Sequence, residues 1–311
     1  LEAHQNQKRE EGVPYIIHPV AVAKILTELK LDSATITTGL LHDTIEDTKE
    51  TYESVKKEFG EEVANLVDGV TKISALEDKA SSASKAENFR KLILATSKDI
   101  RVLLVKIADR LHNMRTIQAF NSEEKKQRIA KETMEIYAPL ADRMGMNRIR
   151  DELEDLSFSV LNTKARSLII ERLNFIKNNK EDNFNLISFE LIELLKSRGV
   201  KAKITGREKT AFSIWRKMQS KKISLEQLTD IIGFRILLDD VDDCYKTLGI
   251  LHTEYSTIPG KFKDYISTPK INKYKSIHTA LVGPTKHRVE IQIRTTEMHE
   301  FAERGIASHW K

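Results

Sequence analysis

The sequence has little cysteine and no long apolar segment. Cys244 is the only cysteine, which excludes an internal disulfide and a zinc site built from several thiolates. This usage is typical of a reducing compartment and predicts a cytoplasmic protein. No apolar run approaches the roughly 18 residues that a membrane span needs, so we expect no membrane insertion. The chain begins at Leu1 without a charged and then apolar leader, which indicates an excised segment rather than a secreted precursor.

Aromatic residues are also scarce, and the two halves of the chain differ in charge. Aromatics make up 6% of the 311 residues, beside 40% hydrophobic and 31% charged residues. This is the composition of a soluble globular protein, and the length favours two domains. Residues 1–160 carry 24 basic and 28 acidic side chains, or −4, whereas residues 161–311 carry 27 and 18, or +9. An acidic half suits a metal site, and a basic half suits a phosphate-rich ligand or nucleic acid.

The first half of the chain has the periodicity of helices throughout. Apolar residues recur at helical spacing from Pro19 to about Phe158, for example in the segment 103–114, and no strand-like alternation interrupts them. The serine-rich segment 79–85 predicts a mobile loop that can serve as a lid. Residues 159–198 continue as helices with a break at Asn178-Asn179, and we interpret them as a connector between two domains.

The second half changes to the periodicity of strands. We predict strands at Val200–Thr205, Asp230–Leu238, Ser276–Val282 and Arg288–Thr295, and helices at Ala211–Gln219, Val241–Thr253 and Thr296–Trp310. The chain is therefore expected to be an α+β multidomain protein, with an all-α domain over 1–158 and a mixed α/β domain over 199–311. In the last strand one face collects Glu290, Gln292 and Arg294. Such a face is usually the solvent side of a sheet, and the alternative is the floor of an active site.

The motif His42-Asp43-Thr44-Ile45-Glu46-Asp47 concentrates one imidazole and three carboxylates in a short segment. If the stretch from Thr35 is helical, His42 stacks on Glu46, and Asp43 stacks on Asp47. Crowded carboxylates need a counter-ion, and imidazole mixed with carboxylate suits Mn, Fe or Zn better than Ca. The alternative is an ordinary solvated helix face.

Further donors lie upstream and downstream of that motif. His18 precedes Pro19, which is tolerated in the first turn of a helix, and a single histidine there is more often a packed residue than a ligand. Asp109 and Asn113 are four residues apart and project from the polar side of one helix. One histidine, a distant His-Asp pair and a later aspartate on a helical background resemble the HD phosphohydrolase superfamily. This order of residues favours metal binding over the solvated face.

A closer resemblance rests on four segments: EGVPYIIHP (11–19), GLLHDTIEDT (39–48), VKIADRLHNMRT (105–116) and YAPLADRMG (137–145). They resemble the hydrolase half of RelA/SpoT homologues, which make and destroy the guanosine alarmones ppGpp and pppGpp. The resemblance implies an HD-type hydrolase that removes the 3′-pyrophosphate. It implies Mn²⁺ held by His18, His42, Asp43 and Asp109, water activation by Glu46 and Asp47, a nucleotide contact by Asn113 and guanine stacking by Arg9.

Two carboxylates on separate predicted strands mark the basic half of the chain. Asp230 lies at the mouth of an apolar strand, and Glu290 lies on the last strand. Such a pair can hold Mg²⁺ between nucleotide phosphates. Cationic residues accompany the pair in GREKT (206–210) and on the helix that follows, where a solvated basic face is the commoner explanation.

The same half resembles the synthetase domain of that family in KFKDY (261–265), Pro269-Lys270, NKYKSIH (272–278) and VEIQIR (289–294). The resemblance implies a nucleotidyltransferase-like fold that moves the β,γ-pyrophosphate of ATP onto the 3′-hydroxyl of GDP or GTP and releases AMP. It implies Mg²⁺ on Asp230 and Glu290, with Glu290 also catalytic, adenine stacking by Arg207 and guanine stacking by Tyr274. The other implied substrate-binding residues are Lys209, Ser213, Lys217, Lys263, Lys270, His278, Gln292 and Arg294.

The chain departs from the family pattern at two places. Glu10 and Glu11 stand where the family commonly has a basic residue and a small one, which weakens the expected contact with substrate phosphates. The family usually shows Asn-Gly-Tyr-Gln-Ser where this chain has NKYKS (272–276). If that glycine adopts a positive φ, Lys273 strains the loop that aims Tyr274. A hydrolase with an impaired synthetase is therefore a second interpretation.

The leading hypothesis is a bifunctional alarmone hydrolase and synthetase whose ligands are ATP, GDP or GTP, ppGpp and pppGpp. The segment KFKD (261–264) keeps the basic pattern of bifunctional members, which favours GDP acceptance and an active hydrolase. A third interpretation is an RNA-binding module, motivated by the +9 charge of residues 161–311. Scarce aromatics and the acidic positions Asp230 and Glu290 argue against that module. Ribosome association is not decided by these residues.

Overall fold

The computed structural model describes residues 4–5, 7–10, 12–79, 99–207, 209–225, 233–283 and 288–309. The chain forms two compact units. The first comprises Leu1–Asp142, Glu152–Leu161 and Ile306–Lys311, and the second comprises Arg143–Asp151 and Asn162–Gly305. The expected all-helical part, followed by a mixed α/β part, is confirmed. Among the described residues, no helix combines the length and the apolarity required to cross a bilayer.

The N-terminal half of the chain is built of helices. They are α1 (Ile17–Glu28), α2 (Ser33–Leu41), α3 (Thr44–Asp47), α4 (Tyr52–Phe59), α5 (Glu61–Lys79), α6 (Arg101–Arg115), α7 (Glu123–Glu132), α8 (Ala138–Arg143) and α9 (Asn147–Leu161). Local capping fixes where several of them begin. The Asp32 side chain accepts the N–H of Thr35 at the start of α2, and Thr51 and Ser54 form a reciprocal capping box at α4.

Helix α6 is the centre of the first unit and is buried on nearly its whole surface. It packs against α1, α2 and α5, and its apolar side chains are almost fully enclosed. Its buried polar side chains are Lys106, Asp109, Arg110 and His112. A polar group that is removed from water has to find partners inside the protein. The polar residues of α6 are therefore the ones around which a site can form.

The helix predicted to run from Thr35 through Asp47 is interrupted at the metal motif. Helix α2 ends at Leu41, His42 and Asp43 form a turn, and α3 begins at Thr44. The Asp47 N–H still reaches the Asp43 carbonyl oxygen at 2.8 Å. The helical spacing predicted for Asp43 and Asp47 is therefore kept across the interruption.

Two other expectations concern long segments. The break predicted at Asn178-Asn179 is wrong, because one helix, α10, runs from Thr163 to Ser197. Asparagine costs a helix only a few tenths of a kcal/mol relative to better helix formers, which is too little to end it. The predicted loop 79–85 lies outside the described residues except for Lys79, which ends α5.

The second unit contains a five-stranded sheet. Its strands are β1 (Lys203–Arg207), β2 (Gly233–Leu238), β3 (Lys263–Asp264), β4 (Ile277–Val282) and β5 (Arg288–Thr295), in the spatial order β1-β2-β5-β4-β3. Only β2 and β5 are parallel. The helices that follow α10 are α11 (Ala211–Lys221), α12 (Val241–Glu254) and α13 (Thr296–Arg304). The first strand begins later than predicted, and β3 was not predicted.

One face of β5 belongs to the core and the other belongs to a largely buried polar layer. Val289, Ile291 and Ile293 pack in the core, as their alternation predicts. On the opposite face Gln292 and Arg294 are only 4% and 2% exposed, so the interpretation of this face as the solvent side is wrong. The physical reason is α13, which follows β5 directly and packs back on β5 and β2. Gln292 and Arg294 are thereby removed from water, whereas the Glu290 side chain on the same face stays 26% exposed.

Candidate active sites

Two histidines and an aspartate from three separate helices meet in the first unit. His18 lies in the first turn of α1, His42 caps the C-terminus of α2, and Asp109 lies in α6. All three side chains are buried, and one ligand atom of each lies within 4.8 Å of the other two. The Nε2 atom of His18 is 3.2 Å from Nε2 of His42 and 3.2 Å from Oδ1 of Asp109.

Asp43 brings a fourth donor to the same place. Its Oδ2 atom is 3.1 Å from Nε2 of His42 and 3.6 Å from Nε2 of His18. Metal–donor bonds of about 2.0–2.2 Å separate neighbouring donor atoms by about 3.0–3.5 Å. The four side chains that the sequence predicts as ligands are thus brought together, and this donor set fits a divalent metal ion.

The charges of the cluster favour a cation. Burial alone would lower the pKa of His42, but the carboxylates of Asp43 and Asp109 raise it to about 9. The pKa of Asp43 is lowered, against its burial, by His42 and His18. The pKa of Asp109 lies well below its usual value, also against burial, because Lys106 and both histidines surround it. Buried, ionised carboxylates need positive partners. Lys106 is one such partner for Asp109, and the other is either a proton on an imidazole or a metal ion.

Tyr15 is a site residue that the sequence prediction missed. Its hydroxyl donates to Oδ2 of Asp43 at 2.5 Å and lies 3.2 Å from Oδ2 of Asp47. Burial and these two carboxylates raise the pKa of Tyr15, so it stays a donor at neutral pH. A signal was present, because Tyr15 lies three residues before His18 in the EGVPYIIHP motif. Tyrosine in an apolar context, however, usually indicates packing.

Lys106 and Ser74 were missed as well, and they lie between two predicted site residues. The Lys106 ammonium donates to Oγ of Ser74 at 2.9 Å and to Oδ2 of Asp109 at 3.3 Å. Burial raises the pKa of Glu46, and a hydrogen bond from Ser74 and the charge of Lys106 oppose that rise. Because an ammonium group can only donate, Ser74 accepts from Lys106, and its own hydrogen is shared between the Val70 carbonyl oxygen, 3.4 Å away, and Glu46.

Arg9 and Asn113 are brought together beside the cluster. Nη2 of Arg9 donates to Oδ1 of Asn113 at 2.9 Å, and Nδ2 of Asn113 donates to Oδ1 of Asp109 at 2.7 Å. An unpredicted residue, His112, lies 3.1 Å from Nη1 of Arg9 and 2.8 Å from Nδ1 of His18. Burial lowers the pKa of His112 to about 4, so its ring is neutral at physiological pH.

These residues surround one open cavity of about 220 Å³. Its lining residues are Arg9, Tyr15, His18, Asp43, Glu46, Asp47, Ser74, Lys106, Asp109 and Asn113. The predicted water-activating carboxylates and the predicted nucleotide-binding residues thus line the same cavity as His18, Asp43 and Asp109, three of the four predicted metal ligands. Such an arrangement can bind a nucleotide ester at one side and hydrolyse it at the other.

Glu10, one of the two departures from the family pattern, is held by two groups. Its Oε1 atom is 2.5 Å from Nζ of Lys125, and its Oε2 atom accepts the N–H of Asn121 at 3.1 Å. Lys125 and Asn121 lower the pKa of Glu10, so the carboxylate is ionised. A negative charge therefore stands at the position where the family resemblance implies a basic residue. Glu11 lies outside the described residues.

In the second unit the predicted catalytic Glu290 is held by cations. Its Oε2 atom is 2.7 Å from Nζ of Lys209, and its Oε1 atom is 4.0 Å from Nη1 of Arg207. Glu290 on β5 pairs in register with Gly233 on β2. Asp230, its predicted partner for Mg²⁺, lies outside the described residues. The predicted residues Arg207, Lys209 and Glu290 thus lie close together, where β1 ends and β2 begins.

Tyr274 forms the centre of a second group of predicted residues. Its hydroxyl lies 2.9 Å from Nε2 of His278, and the Lys270 ammonium lies 4.9 Å from the centre of its ring. Burial lowers the pKa of His278 to about 4, so this imidazole is neutral. The Arg294 guanidinium lies 5.8 Å from the same ring. Cations around an aromatic ring suit a nucleotide, which has a base to stack and phosphates to bind.

The other predicted residues lie on neighbouring elements. Ser213 lies in the first turn of α11, where the Thr210 side chain accepts its N–H, and Lys217 follows one turn later. Lys263 on β3 pairs in register with His278 on β4, and His278 pairs with Gln292 on β5. Lys263, His278 and Gln292 therefore lie side by side on three adjacent strands.

Arg294 is supported by residues that the sequence prediction did not name. Its Nη2 atom lies 2.8 Å from Nδ1 of His299 and 3.7 Å from Oε1 of Glu303. Arg235 on β2 lies 3.7 Å from the same oxygen atom. Burial lowers the pKa of Arg294 to about 10. One carboxylate thus faces two guanidinium groups, which leaves an excess of positive charge for an anionic ligand.

Loop residue Lys273 adopts φ +60°, the left-handed conformation that favours glycine. Its N–H donates to the Lys270 carbonyl at 2.8 Å, and the Lys270 N–H donates to the Tyr274 carbonyl at 3.2 Å. The turn that precedes Tyr274 therefore has a positive φ at the position where the family resemblance implies glycine. The sequence-based expectation about this position agrees with the observed backbone.

Comparisons with known proteins follow the same division. Residues 1–147 match the family described as HD domain, and residues 206–311 match the family described as a region found in RelA / SpoT proteins. The chain is 51% identical over 309 residues to GTP pyrophosphokinase rsh of Brucella melitensis. The matched region covers 99% of this chain and 41% of that protein. The chain is also 50% identical over 313 residues to guanosine-3′,5′-bis(diphosphate) 3′-pyrophosphohydrolase of Aquifex aeolicus, covering 99% and 44%.

The chain spans less than half the length of these two curated relatives. Among solved structures, it is similar to small alarmone synthetase 1 from Bacillus subtilis bound to its product pppGpp. The TM-score is 0.36 at 24% identity, over 42% of this chain and 78% of that one. The two matched families and the curated relatives agree with the motifs in both halves of the sequence. The chain therefore combines a segment of the HD domain family with a segment of the family found in RelA / SpoT proteins.

Proposed function

We propose that the first unit hydrolyses ppGpp and pppGpp to pyrophosphate and GDP or GTP with Mn²⁺, and that the second unit makes them from ATP and GDP or GTP with Mg²⁺. The site of action is the cytoplasm. The observation that carries the proposal is the convergence of His18, His42 and Asp109 within 4.8 Å. The same cavity is lined by Arg9 and Asn113. A metal-binding site beside side chains that can bind a nucleobase suits hydrolysis of a nucleotide ester.

In the hydrolase, His18, His42, Asp43 and Asp109 would hold Mn²⁺, which would supply an activated water and a Lewis acid for a phosphate oxygen. Glu46 and Asp47 line the same cavity and accept the proton that the attacking water loses. The hydrogen bond from Ser74 opposes the rise that burial causes in the pKa of Glu46, and so favours its ionised form. Arg9 and Asn113 orient the guanine nucleoside so that its 3′-pyrophosphate meets the cluster.

In the synthetase, Lys209 and Arg207 compensate Glu290 before substrates bind. Phosphate groups of ATP would compete for the same cations, and the Glu290 carboxylate would then be able to accept the proton of the 3′-hydroxyl and to help hold Mg²⁺. Lys217, Lys263 and Lys270 bind further phosphates. Tyr274, with His278 behind its hydroxyl, stacks on guanine.

A second candidate is a hydrolase whose synthetase is impaired. The observation that favours it is the positive φ of Lys273, because a side chain in this conformation costs about 1 kcal/mol or more. The strained turn carries Tyr274, so an unfavourable loop conformation lowers acceptor binding. This candidate leaves the hydrolase unchanged.

One assay with two matched variants separates these functions. The chain is incubated with ATP, GDP and Mg²⁺, and separately with ppGpp and Mn²⁺, and the nucleotide products are identified. We expect His42→Ala to lose hydrolysis and keep synthesis, and Glu290→Gln to do the reverse. Hydrolysis that survives in His42→Ala contradicts the hydrolase assignment. A wild-type chain that hydrolyses ppGpp without forming any supports the second candidate.

A further inference from the structure

His112 lies between a proposed metal ligand and a proposed guanine-binding residue, and it has no role in the proposed chemistry. Its Nδ1 atom is 2.8 Å from Nδ1 of His18 and 3.1 Å from Nη1 of Arg9. The ring is 8% exposed, so water cannot replace either contact freely. A single nitrogen atom of His112 therefore faces two groups that belong to different parts of the site.

Hydrogen counting makes these two contacts compete. A neutral imidazole nitrogen carries either one hydrogen or one lone pair, and a guanidinium group can only donate. The contact with Arg9 thus needs the lone pair of Nδ1 in His112. His18 points Nε2 at the cluster, so when Nε2 binds a metal, its Nδ1 carries the hydrogen. That hydrogen needs the same lone pair.

Arg9 has an alternative acceptor, whereas His18 does not. Nη2 of Arg9 already donates to Oδ1 of Asn113 at 2.9 Å, and a guanidinium group can keep that bond while Nη1 turns away. Among the described residues, the hydrogen bond of Nδ1 in His18 is the one to His112. When both groups have to donate a hydrogen to this lone pair, the hydrogen bond from Arg9 Nη1 is therefore the one that breaks.

We propose that His112 is a positioning residue that couples cation binding at His18 to the release of Arg9 Nη1 for substrate. Without a cation, Arg9 Nη1 and Nδ1 of His18 both face the lone pair on Nδ1 of His112, and Arg9 Nη1 is held there. With a cation, the Nδ1 hydrogen of His18 takes this lone pair, and Arg9 Nη1 is free for the guanine nucleotide. The proposal rests on the proposed function of the first unit. It makes cation binding and nucleotide binding favour each other.

The test measures Mn²⁺ binding by calorimetry on the full chain without nucleotide. His112→Leu removes the acceptor, and we expect Mn²⁺ affinity to fall by about 10–100-fold, as for other outer partners of metal-binding histidines. His112→Asn keeps an acceptor oxygen near the position of Nδ1, and we expect it to restore most of the affinity. Equal affinity of His112→Leu and the wild type overturns the proposal.

A double-mutant cycle with Arg9→Met separates competition from simple charge repulsion. Arg9→Met keeps an apolar stem and removes every donor, so we expect Mn²⁺ to bind several-fold more tightly in the wild-type background. In the His112→Leu background the same change should have no effect beyond the loss of a nearby positive charge. An equal gain in both backgrounds means that only charge matters, and it overturns the proposal.

Two controls keep the outcome readable. Circular dichroism and synthesis by the second unit report whether each variant is folded. Hydrolysis of ppGpp by the wild type tests the proposed function separately. If the wild type binds Mn²⁺ without hydrolysing ppGpp, the proposed function fails while the cycle still reports on coupling. If hydrolysis is present and the cycle shows no coupling, the role of His112 fails alone.

Discussion

Lys106 lies one turn before Asp109 on α6 and contacts one of the two oxygen atoms of its buried carboxylate. The other oxygen atom has a different partner. The Lys106 ammonium lies 3.3 Å from Oδ2 of Asp109, while Oδ1 lies 3.2 Å from Nε2 of His18. The lysine therefore covers the oxygen that faces away from the histidines. Lys106 also donates a hydrogen bond to Ser74. Through Ser74, the lysine connects the predicted metal ligands with Glu46.

Ser74→Ala should shift the pH profile of hydrolysis. Burial raises the pKa of Glu46, and the Ser74 hydrogen bond opposes this rise, so its removal raises the pKa further. Glu46 accepts a proton only when it is ionised, so the acidic limb of kcat/KM moves to higher pH while the rate on the alkaline side changes little. The measurement is a pH series at fixed Mn²⁺ concentration. Thr71→Ala on the same helix is the matched control, and identical profiles for both variants would refute the role of Ser74.

Mn²⁺ should stabilise the first unit against heat. A ligand that binds only the folded state at 100 times its Kd adds about 2.7 kcal/mol to the free energy of unfolding, which raises Tm by several degrees for a unit of this size. We expect this shift in calorimetric scans of the wild type and its reversal by a chelator. His42→Ala should melt at the same temperature with and without Mn²⁺. A similar shift in that variant would place the ion elsewhere.

Acid should weaken the first unit through the ion pairs of Arg101. This guanidinium contacts Asp99 at 2.7 Å and Asp32 at 3.3 Å, and both carboxyl groups have a pKa below the ordinary 3.8 because hydrogen bonds and Arg101 outweigh burial. A lowered pKa stabilises the folded state above the unfolded value, and this stabilisation is lost as pH falls through the folded value. We therefore expect the free energy of unfolding to fall below about pH 4.

Arg101→Gln tests the origin of that acid sensitivity. The variant should lower the free energy of unfolding near pH 7 by roughly 1–3 kcal/mol, since charged hydrogen-bond partners are left behind. Its stability should also depend less on pH between about 5 and 2 than that of the wild type. Urea titrations across this range provide the measurement. Parallel curves for the two proteins would show that the acid sensitivity comes from other carboxyl groups.

Lys273→Gly should increase synthesis. Lys273 has φ +60° in the turn before Tyr274, and relief of about 1 kcal/mol of backbone strain corresponds to a gain of up to about fivefold in the rate of ppGpp formation. Lys275→Gly is the control, because Lys275 is not among the described residues with positive φ. Initial rates with ATP and GDP decide the matter. An equal gain in the control would point to the loss of charge instead.

The architecture was largely predictable because it depends on periodicity. Apolar spacing of 3.6 residues predicted the N-terminal helices, and alternation predicted β4 and β5 within one residue of their observed bounds. The errors arose where tertiary contacts decide. Ile169 and Ile187 are buried on either side of Asn178-Asn179, and packing on both sides keeps α10 continuous through two weak helix formers. Part of the polar face of β5 is buried because α13 happens to fold over it.

The site was predictable only where residue types are unusual. Histidine and aspartate at His18, His42, Asp43 and Asp109 attract notice in any sequence, and the structure brings them together. Tyrosine, serine and lysine are common in many roles, so Tyr15, Ser74 and Lys106 gave no comparable signal. Their importance depends on which carboxylate each one reaches, and that information is present only after folding.

Cys244, the only thiol of the chain, is fully enclosed in the core of the second unit. Burial raises its pKa to about 12, so at physiological pH it carries almost no thiolate, the form that reacts. Maleimide reagents and mild oxidants should leave the native chain untouched. A cysteine introduced at the surface would then take up a spectroscopic label alone, and motions of either catalytic cavity can be followed without first removing a natural sulfur.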